Sequence, residues 1–181
     1  LFETMRTAGF AVYARRQIWQ RKPAPLPMIQ PDTTVNLREA VDADTVAIQS
    51  LTMSIVPPIM QPFVLPIDEQ RGCVWRVEER VRAYIAVTVG KLGVYLVPFI
   101  DPDYMDAAEA IFIDLMWHLQ KCDKLPVYVC VRRYQEWNAT CLQKLDFQQG
   151  QGQAVMVRHI TAGVRQAAFQ PIYRDAEGRV V

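Results

Sequence analysis

Hydrophobic and polar positions divide the chain at a stretch of prolines. Before it, a short helical segment, then Gly9-Phe10, then a strand-like run over 11–19 read like the middle of a domain. With Leu1 rather than Met in first place, they imply a truncated start. Pro23, Pro25, Pro27 and Pro31 follow, where lost backbone donors and fixed φ angles predict an extended linker. After the linker, 35–39 reads as a strand and 42–51 as a helix whose acidic first turn suits the helix dipole. Residues 52–70, interrupted by prolines, predict only broken helical turns.

Three strands come next, over 73–77, 82–88 and 93–100. They are joined by the polar turn Glu78-Glu79-Arg80 and by Gly90-Lys91, which predicts an antiparallel meander. The segment 106–122 reads as a helix with apolar residues around most of its circumference, among them Ile111, Ile113, Leu115 and Met116, so it is covered on more than one side. The β-branched run 127–131 predicts a buried strand, 134–145 a helix, and 147–160 a strand in which Gly150-Gln151-Gly152 supplies a bulge or hairpin turn. Residues 171–181 read as a small hairpin. One repeat stands out: 1–21 follows the same helix, aromatic, strand plan as 141–161, with Phe10 where the second copy has Phe147. The expected organisation is therefore a terminal piece of a preceding similar unit at 1–21, a linker at 22–34, a domain at 35–160 and a tail at 161–181.

Composition narrows the class. Half of the 181 residues are apolar (51%) and 22% are charged, which fits a packed globular protein. A net charge of +1 gives no overall field to draw the chain onto nucleic acid or an anionic membrane. The most apolar stretch, 54–67, is broken by Pro57, Pro58, Pro62 and Pro66, so no membrane span is expected. Cys73, Cys122, Cys130 and Cys141 form no C-x-x-C pair and lie in apolar runs, as reduced buried thiols in a cytoplasm do. His118 and Cys122 stand four apart on one expected helix, where a core cysteine beside a boundary histidine is the simpler reading. His159 has no second ligand near it, so no metal is expected.

The order β–α–β–β–β–α–β–α–β, together with three phrases, resembles the GNAT N-acetyltransferase family over about 125 residues. The phrases are 35–44, beginning Val35-Asn36-Leu37-Arg38-Glu39; Ile100-Asp101-Pro102-Asp103-Tyr104; and Cys141-Leu142-Gln143-Lys144-Leu145-Asp146-Phe147. The resemblance implies an α/β (α+β) fold, a mixed and mostly antiparallel central sheet with helices on both faces. It also implies acetyl-CoA bound in a splay between 93–100 and 127–131. The cofactor-binding positions carried over are Phe99, Ile100, Met105, Ala107, Ala108, Ala110, Tyr134 and Gln135. Arg132 and Arg133 are the substrate-binding candidates, or else the solvated end of a strand. Another GNAT-like domain or subunit is the expected partner.

This chain departs from the family where the cofactor's pyrophosphate is gripped. A helix N-terminus with a Gly-rich turn binds phosphate through backbone N–H groups. Here Met105 replaces a basic or amide residue, Ala108 replaces a glycine, and Asp106 and Glu109 bring carboxylates that oppose an anion or simply cap the helix. Leu142 stands where the family carries a general-acid tyrosine, so no catalytic residue is assigned. Asp146 replaces a glycine, and Pro98 reads either as the bulge that the family carries in this strand or as a position with no N–H to offer the acyl carbonyl. Arg15, Arg16, Arg21 and Lys22 read as the exposed end of a strand and linker. Two functions follow: an acyl-CoA-dependent N-acyltransferase weakened or inactive in this domain, or a non-catalytic module of the same fold.

Overall fold

The β-branched and aromatic runs pair edge to edge because each then satisfies its backbone N–H and C=O groups while burying one face or both. The computed structural model describes residues 2–26, 34–64, 71–119 and 122–158. Its strands are β1 (Ala11–Arg21), β2 (Arg38–Glu39), β3 (Gly72–Val77), β4 (Arg80–Gly90), β5 (Gly93–Ile100), β6 (Val127–Arg132) and β7 (Gln148–Val157). Its helices are α1 (Phe2–Thr7), α2 (Thr45–Ile55), α3 (Gln61–Val64), α4 (Ala108–His118) and α5 (Asn138–Lys144). The strands form one seven-stranded sheet in the order β2-β3-β4-β5-β6-β1-β7. Every neighbouring pair is antiparallel except β5 and β6. This is the expected mixed, mostly antiparallel α+β architecture.

Strand alternation sends side chains to two faces, and each face builds its own core. On one face, Leu96 and Ile100 of β5, Val129 and Val131 of β6 and Trp19 of β1 are buried with Ile111, Phe112 and Leu115 of α4 and Leu142 of α5. On the other, Val74, Tyr84 and Phe99 are buried with Ile48 and Leu51 of α2 and with Met60. Burying one such aliphatic or aromatic side chain contributes about 1.5–3 kcal/mol, so the two helix layers fix the sheet between them.

Tertiary contacts shift several boundaries. The strand expected over 35–39 is reduced to Arg38–Glu39, because the Leu37 N–H donates to Asp114 Oδ2 of α4 at 2.7 Å instead of to a ladder partner. The helix expected over 106–122 is a 3-10 turn, Pro102–Ala107, followed by α4, which ends at His118. His118 and Cys122 therefore do not share a helix. The helix expected over 134–145 is likewise a 3-10 turn, Arg133–Gln135, and then α5. At Gly150-Gln151 the β1–β7 register shifts between Gln17 and Trp19, which is a bulge, not a hairpin turn. A Cβ on Gly150 would stand 2.9 Å from the Ile18 carbonyl oxygen, so glycine is required there. The 171–181 hairpin and His159 lie outside the described residues.

The N-terminal segment is placed differently from the sequence reading. β1 pairs with β6 on one side and β7 on the other, so 11–21 belongs to the same sheet as 35–157, and residue 21 is no boundary between units. The two compact units of the chain are Ala11–Val157 and, separately, Leu1–Phe10 with Arg158–Val181.

The repeat seen in the sequence is a repeat in backbone geometry. After α1, Gly9 takes φ +83° and the Phe10 N–H donates to the Met5 carbonyl at 3.1 Å. After α5, Asp146 takes φ +63° and the Phe147 N–H donates to the Leu142 carbonyl at 3.0 Å. Both are the left-handed helix stop that glycine favours and aspartate tolerates. Among the described residues no helix is long and apolar enough to cross a membrane.

Candidate functional site

β5 and β6 run parallel and paired only at their start: Val94 with Val127, Tyr95 with Tyr128 and Leu96 with Val129. Beyond Leu96 they part. Val97 to Ile100 stay paired with β4, and Cys130 to Arg132 stay paired with β1, so an outer neighbour holds each side of the opening. Pro98, which has no N–H to give a ladder, stands where the strands separate, and the β4–β5 register runs through it unshifted, so it marks no bulge there.

The side chains that follow β6 define the opening. The Arg132 guanidinium lies 4.7 Å over the Phe99 ring, reaching across from β6 to β5, and Phe99 in turn stacks on Tyr84 at 6.1 Å. Arg132 Nη1, Tyr134 Oη, Gln135 Oε1 and Nε2, and Asn138 Oδ1 are buried with no hydrogen-bond partner among the described residues. Asn138 Nδ2 donates to the Gln135 carbonyl at 3.1 Å. An unpaired buried polar group costs about 1–3 kcal/mol, so several together in one short stretch form a place ready to receive polar atoms from elsewhere. Burial raises the pKa of the Tyr134 hydroxyl, with the Arg132 charge working against the rise, and this phenol stays protonated at neutral pH. Tyr134 also lines a cavity of about 670 Å³ with Tyr13, Arg15, Ile59, Met60 and Arg133.

The turn from β5 into α4 is braced from outside. Asp101 accepts from the Asp103 N–H at 3.1 Å and from Arg82 Nη1 at 2.8 Å; Arg82 lies 5.0 Å over the Tyr104 ring, which meets Trp75 edge-on at 5.5 Å. Met105 on this turn is exposed, Ala107 and Ala110 are half-buried, and Ala108 is buried within the core. The carboxylate of Glu109 is engaged by Lys144 Nζ of α5 at 2.8 Å. No lysine or arginine lies within 101–110.

The structure thus brings Phe99 and Arg132 together across the opening, with Tyr134 and the buried Gln135 on the 3-10 turn that follows β6. Arg133 stands at the adjoining cavity, Ile100 and Ala108 lie in the core, and Met105, Ala107 and Ala110 sit on the turn and first residues of α4. Leu142 is buried in the core. Sequence reading missed Asn138, whose place three residues beyond Gln135 was the available signal. It also missed Tyr13, which a boundary drawn at residue 21 set apart.

No family model matches the sequence, and no curated protein does. Similar solved structures exist. A putative acetyltransferase of the GNAT family from Novosphingobium aromaticivorans has a TM-score of 0.57 at 10% identity, over 84% of this chain and 69% of that one. A GCN5-related N-acetyltransferase from Kribbella flavida has a TM-score of 0.58 at 10% identity, over 86% of this chain and 62% of that one. A functionally unknown conserved protein from Staphylococcus epidermidis has a TM-score of 0.61 at 8% identity, over 83% of this chain and 63% of that one. This chain spans less than two thirds of the length of the last two. The fold is the GNAT fold.

Proposed function

We propose that the protein binds an acyl-CoA, acetyl-CoA being the representative, where β5 and β6 part, and supports transfer of its acyl group to an amine. The observation that carries this reading is the run of unpartnered buried polar atoms from Arg132 to Asn138, which follows directly on the strand that parts from β5. A chain of amides threaded between the strands would pair with the Gln135 and Asn138 side chains, each of which offers an acceptor and, in Gln135, a donor. The cofactor's phosphates fit less well, because the 101–110 turn holds no cation and Glu109 is already paired.

Bound acyl-CoA supplies an activated thioester. The chain's residues supply the rest. Phe99 and the overlying Arg132 guanidinium close the opening against water. Tyr134, kept protonated by burial, gives its proton to the sulfur that departs when the amine nitrogen takes the acyl carbon, and the proton that nitrogen sheds restores the phenol. The protein would act in the cytoplasm, where its cysteines stay as free thiols.

Titration calorimetry and thermal melting with acetyl-CoA test the reading. Ligand at 100 times its Kd should stabilise the fold by about 2.7 kcal/mol. Tyr134→Phe should lower acyl transfer by about 10²-fold with binding unchanged. No response at millimolar acetyl-CoA sinks the proposal. The second reading is a non-catalytic GNAT-fold module packed on another GNAT-like domain or subunit. It is favoured by the cation-free turn and by Leu142, which is buried and has no proton to give. That outcome would show as association without cofactor binding.

A further inference from the structure

We infer that the acceptor amine carries an anionic group, a carboxylate or phosphate, held by arginines that β1 and β6 bring together; this rests on the acyl-transfer reading above. Arg16 and Arg132 are direct cross-strand partners. Like charges so placed destabilise an antiparallel pair. Arg15 of β1 and Arg133, the first residue of the 3-10 turn after β6, both line the 670 Å³ cavity.

Among the described residues no carboxylate pairs with this charge. None of the ion pairs among the described residues includes Arg15, Arg16, Arg132 or Arg133. Arg16 Nε donates to the neutral Gln153 Oε1 at 2.8 Å, and Arg132 rests on the Phe99 ring with Nη1 buried and unpaired. β1, β6 and β7 contain no acidic residue, and Glu136, the acidic residue nearest Arg133 along the chain, is exposed and is in no ion pair among the described residues. Tyr95 feels the charges of both Arg16 and Arg132, and Tyr134 feels that of Arg132. No acidic residue lines the cavity, and its size suits a small molecule. Of the cluster that reads in sequence as an exposed strand end, Arg16 thus stands opposite Arg132 in the fold, and Arg15 lines with Arg133 the cavity that Tyr134 also lines. Guanidinium groups pair with carboxylate and phosphate oxygens through two parallel hydrogen bonds, and an acceptor so anchored would present its amine toward the opening.

The test compares glycine, β-alanine and O-phosphoethanolamine with glycinamide and ethanolamine by calorimetry. It uses the full chain and the variant carrying Arg16→Gln and Arg133→Gln, with Arg133→Gln alone as a milder change on an exposed turn. The anionic amines should bind the full chain and lose tenfold or more in the double variant. Acetyl-CoA binding should be unchanged, and the melting temperature the same or higher because a like-charge pair has been relieved. Equal binding of glycinamide and ethanolamine, or anionic binding that either variant leaves untouched, overturns the inference. So does a loss confined to acetyl-CoA, which would give the arginines to the cofactor's phosphates. Anionic amines that bind while acetyl-CoA does not would leave the anion site standing and remove the acyl-transfer reading.

Discussion

Asp44 is almost fully buried, and it is ionised because three groups meet it. It accepts from Arg38 Nη1 and Nη2 at 2.7 Å each, from the Val41 N–H at 3.0 Å and from Arg76 Nη1 at 3.2 Å. The Arg38 hydrogen bonds are the main cause that brings its carboxyl pKa down from 3.8 to about 2, against the opposing effect of burial. A carboxyl whose pKa is lower in the folded chain contributes stability that is present above its unfolded pKa and is lost as pH falls through the folded value. The contribution is therefore full above about pH 4, worth about 2 kcal/mol, and fades toward pH 2. Asp44→Asn should lower stability by about that amount at pH 7 and flatten the acid limb, as measured by urea unfolding between pH 3 and 7; an unchanged acid limb would remove Asp44 from this role. In the sequence, Asp44 reads only as part of an acidic helix start. Its pairing with Arg76, which ties the α2 end to β3, depends on strand register and is not visible at a separation of 32 positions.

Among the elements, the β3–β4 hairpin closes on two residues that pay for their position in backbone strain. Glu78 and Glu79 have φ of +49° and +65°, the left-handed values that a two-residue hairpin turn demands and that asparagine and glycine adopt more readily. Replacing them with Asn-Gly should raise stability by about 1–2 kcal/mol, read from the denaturation midpoint. The Arg76 Nη2 bond to the Glu79 carbonyl, 2.8 Å, uses only backbone and should survive the change. No gain would mean that the turn is held in another conformation. The hairpin, the meander and the ends of β5 are legible in sequence because polar turns and glycines bound them. The start of α4 and the shortening of 35–39 are not, because Asp101, Arg82 and Asp114 set them through contacts made only after folding. The site divides the same way. Arg132, Tyr134 and Gln135 follow directly from a buried strand's end and are legible, whereas the opposition of Arg16 to Arg132 needs a register between segments more than 100 positions apart.

At the scale of the whole sheet, the least legible feature is the one on which most depends. The proline-rich stretch after Arg21 is a sound sign of a break in regular structure, and it does break the chain's path. It does not break the fold, because β1 returns to the sheet between β6 and β7 and buries Trp19 in the core beside α4 and α5. Every sheet bond that β7 makes in the described residues is to β1, and β6 has β1 along the whole of its side away from β5. Without β1, the outer wall of the opening would lose its support, and Arg132 would lose the neighbour that fixes it. Removal of residues 1–21 should therefore leave 22–181 without a cooperative thermal transition, and with acetyl-CoA binding abolished. A synthetic peptide of residues 8–21, supplied in trans, should restore part of both by adding the missing strand. Circular dichroism melting of the truncated chain, alone and with the peptide, decides the matter. A truncated chain that melts cooperatively at the temperature of the full chain would show that β1 is dispensable, and that β6 holds its side of the opening without it.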